Sequence, residues 1–462
     1  MKRVENFISN KKMMIFILLF ALFQFLIGYL PSTGLIKEIE VYPVYALSNM
    51  VYSVMIFVLL VCSKDTYNAI FAGVLYTFTL TPRFNFWETP TLIVYPCVLA
   101  AFGIIINTIR FRPKFKLGKY TAGIGIMCFG LSLGGLFSKL GGEYVQYKFA
   151  YWQPLVMLAG SVCIVLVMSF VISTPRERTF EDIVRIMLYV AFLLILESVF
   201  FYLYYPATFV ESIKVKALDL GWGVSNNIAL ILLMCLPFAL YYPLKNVKKY
   251  WYHFIYYLAI MITIFITVSK GSVIAAIIGT VLAFIIFFVK SNNKKVYLYL
   301  FVALFAVSVA SFLVLFFSFR ELFDTYLSHW EGYRGAGRTD IYKAALDIWK
   351  NNKLFGIGIF GSWGWSMEAY CYPFAHDTFI EILMVSGIFG MICFMYHMVD
   401  KYTRVLYKPN NKKLIMFLSF LIPGLYGLVD ISYLYAQYMI LLFVEMALFD
   451  KEIENEKIKY LF

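Results

Sequence analysis

The sequence predicts an all-α polytopic integral membrane protein, and three observations predict that fold class. The chain has 462 residues, of which 62% are hydrophobic and only 15% are charged, whereas soluble domains carry about 25% charged residues. Its uncharged stretches are long enough to cross a bilayer core, which takes about 20 apolar residues in a helix. Its Lys and Arg residues lie mainly in the short loops between those stretches, where cations orient membrane helices.

We expect about fourteen transmembrane helices, each assigned to an apolar stretch of roughly 20 residues. The third, ninth and thirteenth are the least clearly separated, because each shares a short turn with a neighbour. In chain order the predicted spans are 13–30, 41–62, 67–82, 90–109, 120–137, 151–173, 183–204, 223–243, 251–268, 271–289, 296–318, 377–398, 413–429 and 431–449.

The distribution of cations predicts the orientation of the helices. Basic residues concentrate at the N-terminus and in alternate loops, at 110–119, 176–185, 245–249, 290–295 and 401–413. Cytoplasmic loops carry the excess of Lys and Arg, so we expect both termini in the cytoplasm and the long polar segment outside. These loops account for the net charge of +13, and binding to nucleic acid is not expected.

The chain divides into three predicted regions. Residues 1–318 form a membrane bundle of about eleven helices, residues 319–376 form a long and partly helical external loop, and residues 377–462 contribute about three helices and a cytoplasmic tail. Within the loop, Thr339 can cap a helix over residues 340–351. Apolar residues at helical spacing predict one buried face on that helix, and they are Ile341, Ala345, Ile348 and Trp349.

Cysteine and histidine usage predicts neither a metal ion nor another cofactor. The chain has seven cysteines, most of them in or beside apolar runs, where a free thiol behaves as a small hydrophobe. Cys371 alone falls in the long polar loop. No Cys-x-x-Cys pair or His/Cys cluster with zinc spacing occurs in the sequence.

His376 is the first candidate for catalysis. It directly precedes the predicted span 377–398, at the boundary between water and lipid and at the N-terminal end of a helix. The helix macrodipole favours an anion there, and a neutral imidazole can accept a proton from a hydroxyl group. The alternative is a purely structural histidine, which is the commoner role of a lone histidine.

Cations on the same predicted side are candidates for binding phosphate. A guanidinium group binds two phosphate oxygens at once, which makes Arg334 and Arg338 phosphate ligands in one interpretation and lipid-headgroup contacts in the other. Arg83 and Arg320 are the other arginines predicted outside. Lys270 lies in a short connection between two spans on that side, where the positive-inside rule makes a cation unexpected.

We expect different roles for two acidic residues, Glu197 and Asp430. Glu197 lies within the predicted span 183–204, and a carboxylate in a membrane helix is costly unless it is paired, protonated or hydrated. We therefore expect Glu197 to face the bundle interior and to meet Lys270 or Arg338. Asp430 follows the thirteenth span and is expected to be only a polar turn residue.

Motifs in the second half of the chain resemble the O-antigen polymerase/ligase superfamily. The resemblance covers roughly residues 223–390 and includes the pair Gly337-Arg338 and the stretch 351–358, which is NNKLFGIG. The turn Ser269-Lys270-Gly271 is similar to a Ser-Arg-Gly turn of the family. Lysine keeps the positive charge of that arginine but not its two-pronged hydrogen bonding.

The spacing of one histidine and two glycines also resembles the family. His376-Asp377 is followed, after nine residues, by Gly387, and Gly390 comes three positions later. The family has the same spacing in the helix that follows its long external loop. Asp377 stands where the family usually has Asn, Ser or Gln.

The resemblance implies a GT-C-like glycosyltransferase of the bacterial inner (plasma) membrane that works without a metal ion. Its donor and acceptor would be oligosaccharides linked to polyprenyl diphosphate, such as undecaprenyl diphosphate, among the membrane lipids. It would polymerise repeat units into O-antigen, capsule or exopolysaccharide, with a chain-length regulator and a flippase as partners.

Two alternatives to a polymerase remain. An O-antigen ligase would transfer finished glycan to lipid A-core or another acceptor. A flippase for lipid-linked oligosaccharides would also have many spans, but it should show related halves and short outer loops.

The resemblance also assigns roles to residues. His376 would take the proton of the attacking sugar hydroxyl, and Arg338, Arg334 and Lys270 would stabilise the leaving diphosphate, whose charge grows as the glycosidic bond breaks. The residues expected to support them are Glu197, Asp377, Gly387 and Arg83.

Labelling of Cys371 tests the predicted orientation. A thiol reagent that cannot cross the membrane should label Cys371 on intact cells, because the long loop is expected outside. The measurement is labelling of the wild type against Cys371→Ala, with unfolded protein as the control for reactivity. A wild type that is labelled only after unfolding would contradict an exposed external loop.

Overall fold

The structure is a computed structural model of the chain, and it describes most of the predicted membrane region. Arg83, Arg334 and Cys371 lie outside the described residues, as does most of the predicted external loop. The described residues are 11–29, 38–80, 91–136, 153–176, 179–205, 207–290, 294–303, 306, 320, 324, 338–359 and 375–459.

The described part of the chain is built from α-helices and contains no β-strand beyond one isolated bridge, which confirms the all-α class. A 3₁₀ segment, Leu236–Leu240, links two of the helices. In chain order the helices are α1 (Lys11–Tyr29), α2 (Glu38–Cys62), α3 (Tyr67–Tyr76), α4 (Thr91–Phe111), α5 (Lys119–Ser132), α6 (Gln153–Ile172), α7 (Thr179–Tyr204), α8 (Phe209–Lys214), α9 (Ser225–Cys235), α10 (Tyr241–Lys245), α11 (His253–Ile266), α12 (Lys270–Lys290), α13 (Arg338–Asn351), α14 (Thr378–Leu406), α15 (Asn411–Tyr426) and α16 (Ala436–Lys459).

Eight helical segments among the described residues are long and apolar enough to cross a membrane. Each coincides with one of the fourteen predicted spans, but the count of fourteen is not confirmed. Several other predicted spans form shorter helices. For example, α3 has 10 residues, about 15 Å at 1.5 Å per residue, against a hydrocarbon core of about 30 Å. The eight segments are Lys12–Tyr29, Tyr42–Cys62, Val94–Phe111, Pro154–Ile172, Thr179–Tyr204, Ser225–Lys245, Lys270–Lys290 and Thr378–Leu406.

Several of the loops that were predicted to be cytoplasmic meet at one end of the bundle. Asp450, near the end of α16, accepts hydrogen bonds from the amides of Tyr120 and Thr121 at the start of α5, both at 3.1 Å. Arg176, after α6, forms ion pairs with Asp65 at 2.7 Å and with Asp182 at 3.1 Å. Lys245, at the end of α10, pairs with Glu181 near the start of α7 at 2.8 Å. We call this end, where the loops after α2, α4, α6 and α10 meet, the basic end.

Helix α13 packs on α14 through the apolar face that the sequence predicts. Ile341 and Ala345 are buried in a cluster with Met384 of α14. Ile348 packs against the same cluster. The helix begins at Arg338, so Thr339 lies in its first turn instead of capping it, a shift within the usual uncertainty of helix ends.

A break in α14 connects the stretch 351–358 to the glycine spacing after His376. Gly387 has φ +63° and ψ −163° inside the helix. The backbone freed by this break pairs with the segment after α13, because Ile388 N donates to Lys353 O at 2.8 Å and Gly358 N donates to Val385 O at 2.8 Å. The two motifs therefore form one structural unit that fixes α13 against α14.

The second glycine of the spacing, Gly390, lies where α14 crosses α5. A Cβ atom on Gly390 would lie 2.0 Å from Ser386 Oγ of the same helix and 3.3 Å from Gly130 O of α5, and one on Gly130 would lie 2.5 Å from Cys393 Cβ of α14. Neither position has room for a side chain. The two glycines thus permit close contact between these helices.

Gly387→Ala tests this unit. A methyl group at Gly387 would lie 2.4 Å from the carbonyl of Leu354, and the positive φ disfavours any L side chain, so we expect a loss of at least about 2 kcal/mol of unfolding free energy. The measurement is thermal unfolding of the detergent-purified protein. Gly160→Ala is the matched control, because nothing lies within 4 Å of a Cβ at that position. Equal unfolding temperatures for the two variants would contradict the role of Gly387.

Candidate functional site

The site is built around a turn between α15 and α16, residues 427–432, which we call the 427–432 turn. The start of α14 is bound to this turn by three hydrogen bonds. Thr378 N donates to Gly427 O at 2.9 Å, Thr378 Oγ1 donates to Asp430 O at 3.1 Å, and Ser432 N donates to Thr378 Oγ1 at 3.0 Å. His376 and Asp430 are thereby held on adjoining segments.

His376 is paired with the carboxylate of Asp430. The Nδ1–H group of His376 donates to Asp430 Oδ1 at 3.2 Å, and both side chains are largely shielded, at 20% and 12% exposure. The backbone of His376 has φ +57°, a left-handed conformation that is uncommon for non-glycine residues and that clusters at functional sites. Tyr342 of α13 donates its hydroxyl hydrogen to His376 O at 3.1 Å and helps to hold this conformation.

Asp430 is held as a carboxylate by several donors. Besides His376, Asn226 Nδ2 and the Tyr426 hydroxyl donate to its Oδ2 atom at 2.7 and 2.9 Å, and the amide of Ile431 donates to Oδ1 at 2.9 Å. Burial would raise the pKa of Asp430, but the bond and charge of His376, the Ile431 amide and the charge of Arg338 together lower it below its ordinary value. The negative charge of Asp430 therefore orients the His376 ring.

Cations from three separate segments meet at the same turn. Arg338, at the start of α13, donates from Nη1 to Val429 O, and its charge acts on that of Lys270. Gly271, the next residue, packs so closely on Val429 that a Cβ there would lie 2.4 Å from Val429 Cγ2. The structure thus brings together Arg338, Lys270 and His376, which the sequence predicted as one site.

Lys216, between α8 and α9, is a third cation at this site. Its Nζ atom donates to Asn226 Oδ1 at 2.6 Å, and Asn226 donates in turn to Asp430. Burial lowers the pKa of Lys216, the charges of Arg338 and Lys270 lower it further, and the charge of Asp430 opposes them. Because the charges of Arg338 and Lys270 change the pKa of Lys216, the three cations lie close enough to interact electrostatically.

Two other predicted supporting residues, Asp377 and Gly387, lie at the start of α14 and within it. Asp377 is the N-cap of α14 and accepts from the amides of Phe379 and Ile380 at 2.8 and 2.9 Å, which fixes the helix start beside His376. Gly387 forms the break in α14 described above.

Glu197 is fully buried in α7, as expected, but its partner differs from the expectation. Its side chain accepts a hydrogen bond from the indole nitrogen of Trp222 at 3.1 Å, and no ion pair with Lys270 or Arg338 is found within the described part of the chain. Trp222 O in turn accepts a bond from the Tyr435 hydroxyl at 2.7 Å. Glu197 thus lies one layer behind the site and supports the segment that follows the 427–432 turn.

Sequence reasoning missed Asp430, Asn226, Lys216 and Tyr342. Asp430 was expected to be only a polar turn residue, and this expectation is wrong because its carboxylate binds His376. His376 and Asp430 are 54 residues apart, so only tertiary structure brings them together. Asp430 and Lys216 are one acidic and one basic side chain in connections between predicted spans, on the same predicted side as His376. That position was a signal in the sequence that could have identified them.

The arrangement combines one base with several fixed positive charges. An Nδ1–H group bonded to Asp430 places the basic lone pair of a neutral His376 on Nε2, where a hydroxyl proton can be accepted. Arg338, Lys270 and Lys216 can stabilise a phosphate-bearing anion. Among the residues that the structure describes, no group of three or more His, Cys, Asp or Glu side chains could hold a metal ion.

Comparison with known proteins identifies one domain. Residues 254–395 match the sequence model of a family described as O-antigen ligase. The match runs from α11 into α14 and includes Lys270, Arg338 and His376. It confirms the resemblance of this part of the chain to the O-antigen polymerase/ligase superfamily. Asp430, Asn226 and Lys216 lie outside the matched residues. No curated protein matches the chain.

Asp430→Asn tests the contribution of this carboxylate to stability. Because the folded-state pKa of Asp430 is lowered, its contribution is fully present above the unfolded pKa of about 3.9 and is lost as the pH falls through the folded pKa. We expect a loss on the order of 1–3 kcal/mol in the variant at neutral pH, and a smaller loss below about pH 4, where Asp430 is protonated in the wild type too. Thermal unfolding of both proteins between about pH 3 and pH 7 measures it.

Asp347→Asn is the matched control, since Asp347 is exposed and pairs with Lys350 on the surface of α13. Exposed pairs contribute little, so this variant should unfold like the wild type. A difference between Asp430→Asn and the wild type that is as large at about pH 3 as at neutral pH would contradict the assigned charge of Asp430.

Proposed function

We propose, because residues 254–395 carry a domain of the O-antigen polymerase/ligase superfamily, that the chain is a membrane glycosyltransferase. It polymerises oligosaccharide repeat units linked to polyprenyl diphosphate into a surface polysaccharide. The observation that carries this proposal is the pairing of His376 with a buried carboxylate within a group of cations. Base and cations are the two components that this reaction requires.

The proposed base is His376. In the reaction, a sugar hydroxyl of the acceptor attacks the anomeric carbon of the donor and loses its proton. The Nε2 atom of His376 takes that proton, and the carboxylate of Asp430 stabilises the imidazolium that forms, since it is bonded to Nδ1. Proton transfer to a positioned side chain contributes about 10²- to 10⁴-fold to rates in enzymes generally.

The proposed diphosphate ligands are Arg338, Lys270 and Lys216, together with Arg334 from the predicted loop. The bond between the anomeric carbon and the diphosphate oxygen breaks, and the leaving lipid diphosphate gains negative charge. Fixed cations stabilise such charge without reorganising during the reaction. Inversion at the anomeric carbon follows if the acceptor and the diphosphate occupy opposite faces of the sugar, as in other direct glycosyl displacements.

The proposed location of the site is the outer face of the bacterial plasma membrane. The site and the basic end lie at opposite ends of α14 and α16, because the 427–432 turn contacts their starts and Asp450 lies near the end of α16. Lys and Arg accumulate on the cytoplasmic side, which assigns the basic end to the cytoplasm and His376 to the outside. A flippase that supplies the donor and a chain-length regulator are the proposed partners.

A second candidate function is ligation of finished glycan to another acceptor. The description of the matched family, O-antigen ligase, favours it. The chemistry assigned to His376 and Arg338 is the same in both reactions. Only the acceptor differs, being a lipid-linked repeat unit for a polymerase and a lipid A-core or other molecule for a ligase.

Analysis of lipid-linked intermediates in cells separates the two functions. We expect His376→Ala and Arg338→Ala each to lower polymer formation by at least about 100-fold, the effect typical of losing a base or a charge-stabilising donor. The measurement is the length of glycans on lipid carriers and on final acceptors. A polymerase variant leaves single repeat units on the lipid, whereas a ligase variant leaves long lipid-linked chains.

Lys343→Ala is the matched control, since Lys343 is an exposed cation on the same helix as Arg338. It should leave the glycan unchanged. Wild-type glycans in both the His376→Ala and Arg338→Ala strains, at normal protein levels, would contradict the proposed active site.

A further inference from the structure

The basic end of the bundle contains a pocket that the proposed glycosyl transfer does not use. The pocket has a volume of about 360 Å³ and lies between the ends of α2, α4 and α6. Lys451 of α16 lines it, and this residue is 15 positions after the start of α16, or roughly 22 Å along the helix axis. The pocket and the His376 site are therefore separate.

The wall of this pocket is strongly positive. It contains Lys64, Arg112, Lys114, Lys116 and Lys451, and none of its lining residues within the described ranges is acidic. Five cations converge on one concave surface, which focuses positive potential there.

Nearby carboxylates offset only part of that charge. Glu454 pairs with Lys116 and lies 3.7 Å from Lys451, while Asp65 is bonded to Arg176. The side chains of Arg112 and Lys114 are exposed and have no hydrogen-bond or ion-pair partner among the residues described. The pocket thus retains a net positive charge for an anionic ligand.

The exposed apolar faces of the helices beside the pocket indicate that it lies at the edge of the membrane's hydrocarbon core. Helix α4 ends at Phe111 and α6 ends at Ile172, and both residues line the pocket. The outer faces of these helices are apolar and exposed, as at Ile109 of α4 (70%) and Leu166 of α6 (56%). Such faces contact lipid chains, so the pocket opens where lipid headgroups lie.

We propose that this pocket binds the phosphate group of an anionic phospholipid. Its cations bind phosphate oxygens, and its apolar rim, which includes Phe111 and Ile172, accommodates the start of the acyl chains. A soluble phosphate ester offers the same anionic group but has no apolar part to contact the rim. Basic pockets between membrane helices are a recognised way of binding anionic headgroups, and here the bound lipid would link α2, α4, α6 and α16.

Native mass spectrometry of the full-length protein in detergent tests the proposal. The probes are phosphatidylglycerol, phosphatidylcholine and glycerol phosphate, each titrated separately, and the readout is the apparent Kd. We expect phosphatidylglycerol to bind the wild type more tightly than phosphatidylcholine. The variant Arg112→Gln/Lys114→Gln should weaken phosphatidylglycerol binding by at least about tenfold, at roughly 1 kcal/mol for each cation near an anionic surface.

Two further variants test whether a loss of binding comes from the pocket itself. Lys248→Gln/Lys249→Gln removes the same charge from another exposed loop at the basic end, and it should retain wild-type affinity. Lys114→Gln alone keeps the turn at Arg112 intact, where φ is +48°, and should weaken binding by about fivefold.

Three results would overturn the proposal. They are equal losses of affinity in the pocket variant and the loop variant, equal affinity of the wild type for phosphatidylcholine and phosphatidylglycerol, and equal affinity of the wild type for glycerol phosphate and phosphatidylglycerol. The last would assign the pocket to a soluble phosphate ester instead of a lipid.

Discussion

The hydrogen bond between His376 and Asp430 is the interaction on which the candidate site depends. It joins His376, two positions before α14, to the turn after α15, and the same turn accepts a hydrogen bond from Arg338 at the start of α13. Asn226 extends the network from Asp430 to Lys216. Since each partner comes from a different part of the chain, the site exists only when the segments from Lys216 to the 427–432 turn have folded together. The negative charge of Asp430 is what allows several cations and an imidazole to share this small volume.

Packing around the break in α14 fixes the position of α13, which carries Arg338. The break at Gly387 exposes backbone groups that a continuous helix would satisfy internally, and the segment after α13 pairs with them. Backbone groups inside a membrane protein must find such partners. Helix α13 is fixed by these bonds and by Ile341 and Ala345, so Arg338 is presented to Val429 from a well-anchored helix.

Local patterns in the sequence predicted the parts of the fold that depend on local interactions. Helical periodicity identified α13 and its buried face, and position before an apolar run identified His376. The pairing of Asp430 with His376 and that of Glu197 with Trp222 depend on contacts between distant segments, which no local pattern encodes. The count of fourteen spans is not confirmed, because hydrophobicity does not reveal where a short helix such as α3 ends. The roles of Arg83 and Arg334 stay predictions.

A double-mutant cycle on purified protein tests the central claim most directly. Turnover of lipid-linked oligosaccharide is measured for the wild type, His376→Ala, Asp430→Asn and the double variant, each with its unfolding temperature as a check on folding. If Asp430 acts through His376, the double variant will be no slower than His376→Ala alone, because residues that act as a unit have non-additive effects. Rate losses that multiply in the double variant would show that the two residues act independently, and would contradict the account.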